Sequence, residues 1–179
     1  MVAVVAAVQA RMPATVQSVR KKRGTVMYKI MFVCHGNICR SPMAEFLLKN
    51  IIEKQGRSGE FVIASSAVST EEIWNGIGNP VYPPAKAELK KHGVSCEGKR
   101  ACLLTEEDGE KYDYFLCMDS SNLRRAKAIL GAKNGEKCHK LLSFAGEKGD
   151  VADPWYTRDF SATYRDIMRG LDGLLQYLK

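Results

Sequence analysis

The stretch Cys34-His35-Gly36-Asn37-Ile38-Cys39-Arg40-Ser41-Pro42 places a thiol and a guanidinium six residues apart. An ionised thiol is a nucleophile, and a guanidinium is a planar two-pronged donor matched to two oxygens of a tetrahedral oxyanion, which a lysine cannot imitate. Together they ask for attack by sulfur on a bound phosphate. Ser41 can donate a hydrogen bond to that sulfur and ease its later departure. Expelling an alkoxide or phenolate from phosphorus needs a proton. Asp153-Pro154-Trp155-Tyr156 offers one, with Asp153 as general acid, Pro154 stiffening the approach, and Trp155 and Tyr156 walling a slot for an aromatic substrate.

A loop aims such groups only if a strand and a helix hold its two ends. Residues 29–33 read as a buried strand, and Met43, Ala44, Phe46, Leu47, Leu48, Ile51 and Ile52 repeat at helical spacing up to Gln55. The loop therefore leaves a strand end and enters a helix N-terminus, where backbone N–H groups converge on one concavity and the helix dipole adds positive potential. Gly36 and Asn37 tolerate the positive φ that a tight curl requires, and Pro42 fits a first helical turn. Loop amides, helix terminus and Arg40 all favour the thiolate of Cys34. The expected substrate-binding residues are His35, Gly36, Asn37, Ile38, Cys39 and Ser41 of the loop, with Trp155 and Tyr156.

Further along, short apolar runs alternate with amphipathic stretches. Residues 61–67 form a second strand and 71–82 a loop, and Pro83-Pro84 open a helix that stops at His92-Gly93. Residues 112–117 make a third strand, 120–130 a helix closed by Gly131, and 140–144 a short fourth strand. Tyr164, Ile167, Met168, Leu171, Leu174, Leu175 and Leu178 form a final amphipathic helix. Strand alternating with helix indicates one α/β domain, a parallel sheet with helices on both faces.

With 179 residues, 26% charged and 45% apolar, the chain has room for one domain with its own core, and low-complexity and disordered classes are excluded. Its longest apolar stretch, residues 2–8, falls far short of the roughly 20 residues of a membrane-spanning helix, so no membrane association is expected. Most of the formal charge of +7 sits in residues 1–26, where Arg11, Arg20, Lys21, Lys22 and Arg23 face no acid and contribute +5. The remaining +2 on residues 27–179 argues against a nucleic-acid-binding face spread over the domain. Because the apolar rhythm starts at Met27, residues 1–26 are expected to be an extension outside the fold: disordered, a leader, a targeting peptide or the product of an upstream start codon. Six cysteines are too sparse for a disulfide scaffold and point to reduced thiols in the cytoplasm. His35, His92 and His139 form no ligand set, with His139 read as a surface residue, and no metal is expected. Cys96, Cys102 and Cys138 are expected to pack as small apolar groups.

Residues 34–42 together with Asp153-Pro154-Trp155-Tyr156 resemble the low-molecular-weight protein tyrosine phosphatase family in a bacterial-style version. The likeness runs from Met27 to the C-terminus, through Ser66-Ala67-Val68-Ser69, Leu89-Lys90-Lys91-His92-Gly93-Val94 and Cys117-Met118-Asp119-Ser120-Ser121-Asn122-Leu123. It implies a four-stranded parallel sheet with a phosphate-binding loop after the first strand, and hydrolysis of phosphotyrosine in proteins and of small aryl phosphates without cofactor or metal. In the implied mechanism Cys34 attacks phosphorus and Asp153 protonates the leaving phenolate. Asp153 then acts as base for the water that hydrolyses the phosphocysteine, while Arg40 and the loop amides hold the equatorial oxygens. By the same likeness Asp119 anchors Arg40, Asn37, Ser41 and Ser66 brace the loop, and Cys39 can close a reversible disulfide with Cys34. The implied partners are phosphotyrosyl proteins, with inorganic phosphate as product and the chain a monomer or weak dimer. The sequence departs from the family twice. Lys99-Arg100-Ala101 stands where many members have a histidine before a basic-Ala pair, and the loop at 70–80 is longer than in vertebrate-type members, making Trp74 a candidate pocket wall.

Two rival activities on the same fold differ at single positions. Thioredoxin-coupled arsenate reductases relay a disulfide through two further cysteines. Cys117 falls at the first of these, but the second position is Arg124, and the Asp-Pro pair of those enzymes lacks the aromatics that follow it here. Protein-arginine phosphatases carry Thr where this chain has Ile38, and a branched apolar side chain suits a tyrosyl ring better than a guanidinium phosphate. A binding module built on residues 1–26 is a third reading, separated from an enzyme by deleting that segment.

Overall fold

The computed structural model describes residues 27–179, and the extension read at residues 1–26 lies outside them. Strand β1 (Tyr28–Cys34) sends Ile30 and Phe32 to one face and Met31 and Val33 to the other, and all four are buried. A strand apolar on both faces belongs inside a parallel sheet covered on both sides. β1 pairs in parallel with β2 (Phe61–Ala67) on one edge and β5 (Tyr114–Cys117) on the other. Strand β6 (Cys138–Lys140) extends the sheet beyond β5, giving the order β2-β1-β5-β6.

Two cores follow from that alternation. Helices α1 (Arg40–Lys54), α2 (Pro83–Lys91) and α6 (Phe160–Tyr177) cover Ile30 and Phe32 with Met43, Leu48, Leu89, Leu171 and Leu174. The short helix α3 (Asp108–Lys111) precedes β5, and α4 (Ser120–Gly135) packs Ala126 and Leu130 on Met31, Val33 and Cys117 across the other face. Burying each of these large side chains contributes about 1.5–3 kcal/mol. The C-terminus closes on the first strand, where the Tyr28 hydroxyl donates to the Leu178 carbonyl at 2.9 Å. The helix read as ending at Gly131 does break its backbone there, at φ 71° and ψ 177°, and one more turn runs to Gly135.

The structure corrects the reading in several places. The fourth strand is residues 138–140, and Leu141–Ala145 is a 3₁₀ turn stopped by Gly146 at φ 76°. Leu141, Leu142 and Phe144 are all buried, so the apolar run that reads as a strand fills a turn against α6. Within the loop at 71–82 lies a small antiparallel hairpin, β3 (Ile73–Trp74) and β4 (Ile77–Gly78), joined by Asn75 and Gly76 at φ 49° and 77°. His139 is not on the surface: it is 6% exposed, edge-on to the Phe144 ring. Cys96 and Cys138 are buried as expected, whereas Cys102 is exposed, with its thiol donating to the Ser65 carbonyl at 3.2 Å.

Candidate active site

β1 delivers Cys34 to the carboxyl edge of the sheet, and α1 starts at Arg40. The intervening loop is tied down from both flanks. Val68 and Ser69 donate backbone N–H groups to the carbonyls of Cys34 and His35, each at 3.0 Å, and Tyr82 N–H donates to the Ile38 carbonyl at 2.9 Å. Asn37 adopts the left-handed conformation at φ 57°, as an asparagine tolerates. Gly36 is needed for a different reason from the one read in the sequence. Its φ is not positive, but a Cβ there would lie 2.8 Å from Cγ of Glu72, whose carboxylate accepts from Asn79 Nδ2 at 2.8 Å.

The sulfur of Cys34 lies 2.9 Å from Ser41 Oγ and accepts from the backbone N–H of Asn37 at 3.3 Å. Asn37 Nδ2 donates to Ser41 Oγ and to Ser65 Oγ, both at 2.8 Å. The serine behind the loop is therefore Ser65 and not Ser66, because adjacent residues of a strand face opposite ways. Ser66 Oγ is buried without a hydrogen-bond partner among the described residues.

Arg40, 4% exposed, forks between two carboxylates: Nη1 donates to Asp119 Oδ2 and Nη2 pairs with Asp153 Oδ2, each at 2.7 Å. Burial alone would lower the basicity of the guanidinium, but the negative Cys34, Asp153 and Asp119 around it outweigh that and raise it. Both aspartates also cap helices. Asp119 Oδ1 accepts from Asn122 N–H at 2.6 Å at the start of α4, and Asp153 Oδ1 from Trp155 N–H at 3.0 Å at the start of α5 (Pro154–Thr157). Each cap fixes one carboxylate oxygen and aims the other at Arg40. Cys39 is the opposite case to an activated thiol: burial, then the charges of Cys34 and Asp153, push it up to about 12.

These groups surround one cavity of about 320 Å³. Of the residues singled out in the sequence, Cys34, His35, Gly36, Asn37, Ile38, Cys39, Arg40, Asp153, Trp155 and Tyr156 line it, and Ser41 lies buried beneath. Trp155 leans on Tyr82, ring centroids 5.7 Å apart, and Tyr156 stands 83% exposed at the mouth. Trp74 is not part of the lining and is 69% exposed on its hairpin. The lining also contains Glu71, Glu72, Ser121 and Asn122, which the sequence reading missed. His35 Nε2 lies 2.9 Å from Glu71, a contact between residues 36 apart that no local pattern announces. Among the described residues no cluster of histidine, cysteine or carboxylate side chains could hold a metal ion.

Comparison with known proteins agrees with this geometry. The family model described as low molecular weight phosphotyrosine protein phosphatase matches residues 29–179. The low molecular weight protein-tyrosine-phosphatase YfkJ of Bacillus subtilis is 34% identical over 83% of this chain and 94% of its own length. The YfkJ crystal structure superposes with a TM-score of 0.76 over 86% of this chain and 95% of that one. The low molecular weight phosphotyrosine protein phosphatase of Sus scrofa is 36% identical over 86% of this chain and 98% of its own. A Drosophila arginine phosphatase structure, 28% identical, covers 84% of this chain and 98% of its own with a TM-score of 0.74. A model match over nearly all the described residues, and relatives above 30% identity along almost their whole lengths, place the chain in the low molecular weight phosphotyrosine protein phosphatase family.

Proposed function

We propose that the protein hydrolyses phosphotyrosine in proteins, and small aryl phosphates, through a phosphocysteine at Cys34. The observation that carries the reading is the convergence of the Cys34 sulfur, the Arg40 guanidinium and the Asp153 carboxylate on one cavity. Arg40 Nη2, held by Asp153 in the free protein, turns to the equatorial oxygens of the entering phosphoryl group together with the loop N–H groups. Sulfur attacks phosphorus in line with the leaving oxygen, and Asp153, protonated, delivers its proton there. A water then displaces the sulfur, with Asp153 as base and Ser41 donating to the departing thiolate. The aromatic wall of Trp155 and Tyr156 and the apolar Ile38 fit a phenyl ring.

In this reading residues 27–179 are the catalytic unit, acting in the cytoplasm on phosphotyrosyl proteins. No helix among the described residues is long and apolar enough to cross a membrane. The test is initial rates on phosphotyrosine, phosphoserine and phosphoarginine peptides for the full chain, for the chain lacking residues 1–26, and for Cys34→Ser. Phosphotyrosine should turn over fastest, survive the deletion, and fall by at least about three orders of magnitude in Cys34→Ser. Equal or faster turnover of phosphoarginine would replace the substrate class, and residual activity in Cys34→Ser would remove the nucleophile.

A further inference from the structure

The segment that brings Asp153 to the cavity is gripped from behind by α6. The start of that helix is pinned by Asp159, whose Oδ1 accepts the Ala162 N–H at 2.8 Å, so Thr163 falls at its first turn. Thr163 is fully buried, at 0% exposure, one turn before Ile167 of the apolar stripe. A hydroxyl in such a place needs a partner, and the Ala152 carbonyl accepts from it at 2.8 Å. Asp166, three residues on and on the same side of the helix, takes the other backbone group of Ala152: its Oδ2 accepts the N–H at 2.9 Å. Arg169 Nη1 pairs with the other oxygen of that carboxylate at 3.1 Å, and Arg169 is itself forked onto Glu147, with Nε and Nη2 at 2.8 and 3.1 Å.

Both backbone groups of the residue before Asp153 are therefore held by side chains. One residue earlier, the Val151 N–H donates to the Met118 carbonyl at 2.8 Å, which sews this segment to the one that carries Asp119. The Ala152 carbonyl lies in the rigid peptide plane that joins Ala152 to Asp153, so its orientation sets φ of Asp153, which is −87°. With φ set and Oδ1 held by the Trp155 N–H, Oδ2 keeps its aim at Arg40 Nη2 and the cavity. Once the grip on Ala152 is lost, that plane is free to turn and carries the carboxylate with it.

We propose that Thr163 and Asp166 are positioning residues for the phosphatase reaction: by clamping the backbone groups of Ala152 they hold the Asp153 carboxyl within reach of the leaving oxygen. The inference rests on the reading of Asp153 as general acid. Neither side chain lines the cavity, so each acts through Asp153. General acid catalysis contributes about 10²- to 10⁴-fold and works only within hydrogen-bond reach, so a displacement of about 1 Å is felt at that step first. The grip of Arg40 and the loop N–H groups on the phosphoryl oxygens is built on α1 and the loop, and does not depend on the clamp.

The experiment is kcat/KM on phenyl phosphate, whose leaving group needs the proton, and on p-nitrophenyl phosphate, whose leaving group needs it least. It is run in full-length Thr163→Val, Thr163→Ser, Asp166→Leu, Asp166→Asn and Asp153→Asn. Thr163→Val and Asp166→Leu should each lose roughly three- to tenfold on phenyl phosphate and less than about twofold on p-nitrophenyl phosphate. Thr163→Ser keeps the hydroxyl, and Asp166→Asn keeps an oxygen that accepts the Ala152 N–H; each should recover most of the loss. Asp153→Asn should show the same contrast between esters, enlarged. Equal losses on the two esters in Asp166→Leu overturn the proposal, because a general loosening of the fold would produce them, and this holds even if Thr163→Val does not fold. An Asp166→Asn as damaged as Asp166→Leu overturns it too, by making the charge and not the hydrogen bond the agent. Contrast in Asp153→Asn with none in the α6 variants refutes the clamp alone, whereas no contrast in Asp153→Asn removes the general acid and the inference with it.

Discussion

Asp119→Asn separates the two duties of one carboxylate. Asparagine caps a helix about as well as aspartate, so the hydrogen bond from Asn122 N–H survives and α4 keeps its start. The charge facing Arg40 Nη1 at 2.7 Å does not survive. A hydrogen bond between charged groups is worth about 1.5–3 kcal/mol, which converts to a loss of roughly 10- to 150-fold in kcat/KM if Arg40 must hold its position through the transition state. Asp153, the other carboxylate on Arg40, is then gripped harder and withheld from the leaving group. The loss should therefore be larger for phenyl phosphate, whose poor leaving group needs the proton, than for p-nitrophenyl phosphate. Steady-state rates on both esters, with urea unfolding as a control for the fold, make the assay. Activity within about twofold of the wild type would refute the anchoring role, and equal losses on the two esters would refute the effect on Asp153.

Two further outcomes concern stability. Burial, with Lys127 nearby, brings His139 down to about 4, while an unfolded histidine titrates near 6.5. The unfolded chain thus binds the extra proton first as pH falls. Stability is complete above about 6.5 and declines by up to about 3 kcal/mol on the way down to about 4. Urea unfolding at neutral pH and near pH 5 should show a smaller decline in His139→Leu than in the wild type, and identical declines would contradict the assignment. In α6, a Cβ on Gly173 would lie 2.3 Å from the Phe144 carbonyl oxygen, which is backbone, whereas one on Gly170 would meet Cγ of the Leu141 side chain at 2.5 Å. Gly173→Ala should therefore cost about 1–3 kcal/mol and clearly more than Gly170→Ala, as read by denaturant midpoints; the reverse order would show that the helix shifts freely.

What the sequence announced was local chemistry joined to local geometry. The anion loop is legible because its thiol, its curl and its helix start are consecutive, and α6 because its apolar stripe is long. Asp119 is not legible that way: it lies 79 residues from Arg40, and its visible local role is a helix cap. Only resemblance connected the two. Ser65 and Ser66 are identical in type, so composition carries no information about which one faces Asn37; strand parity decides it, and parity is visible only once β2 is registered on β1. Residues 141–144 misled because an apolar run is the signal for a strand and equally for a turn packed under a helix. The β3–β4 hairpin was signalled by Asn75-Gly76 between Ile/Trp and Ile, a dipeptide that favours a tight reversal of two strands, and reading the segment as plain loop overlooked it.

The tie between Tyr28 and Leu178 spans 150 residues, and the share that α6 adds to the apolar cluster on that face of β1 comes from the same end of the chain. During synthesis the strand that ends at Cys34 emerges early, and the last part of the cluster around Ile30 and Phe32 emerges at the end. A ribosome stalled anywhere before Leu171 leaves the cluster on that face incomplete and Tyr28 without its tether. Premature termination in the last tenth of the message should consequently yield an insoluble product and not a weakened enzyme.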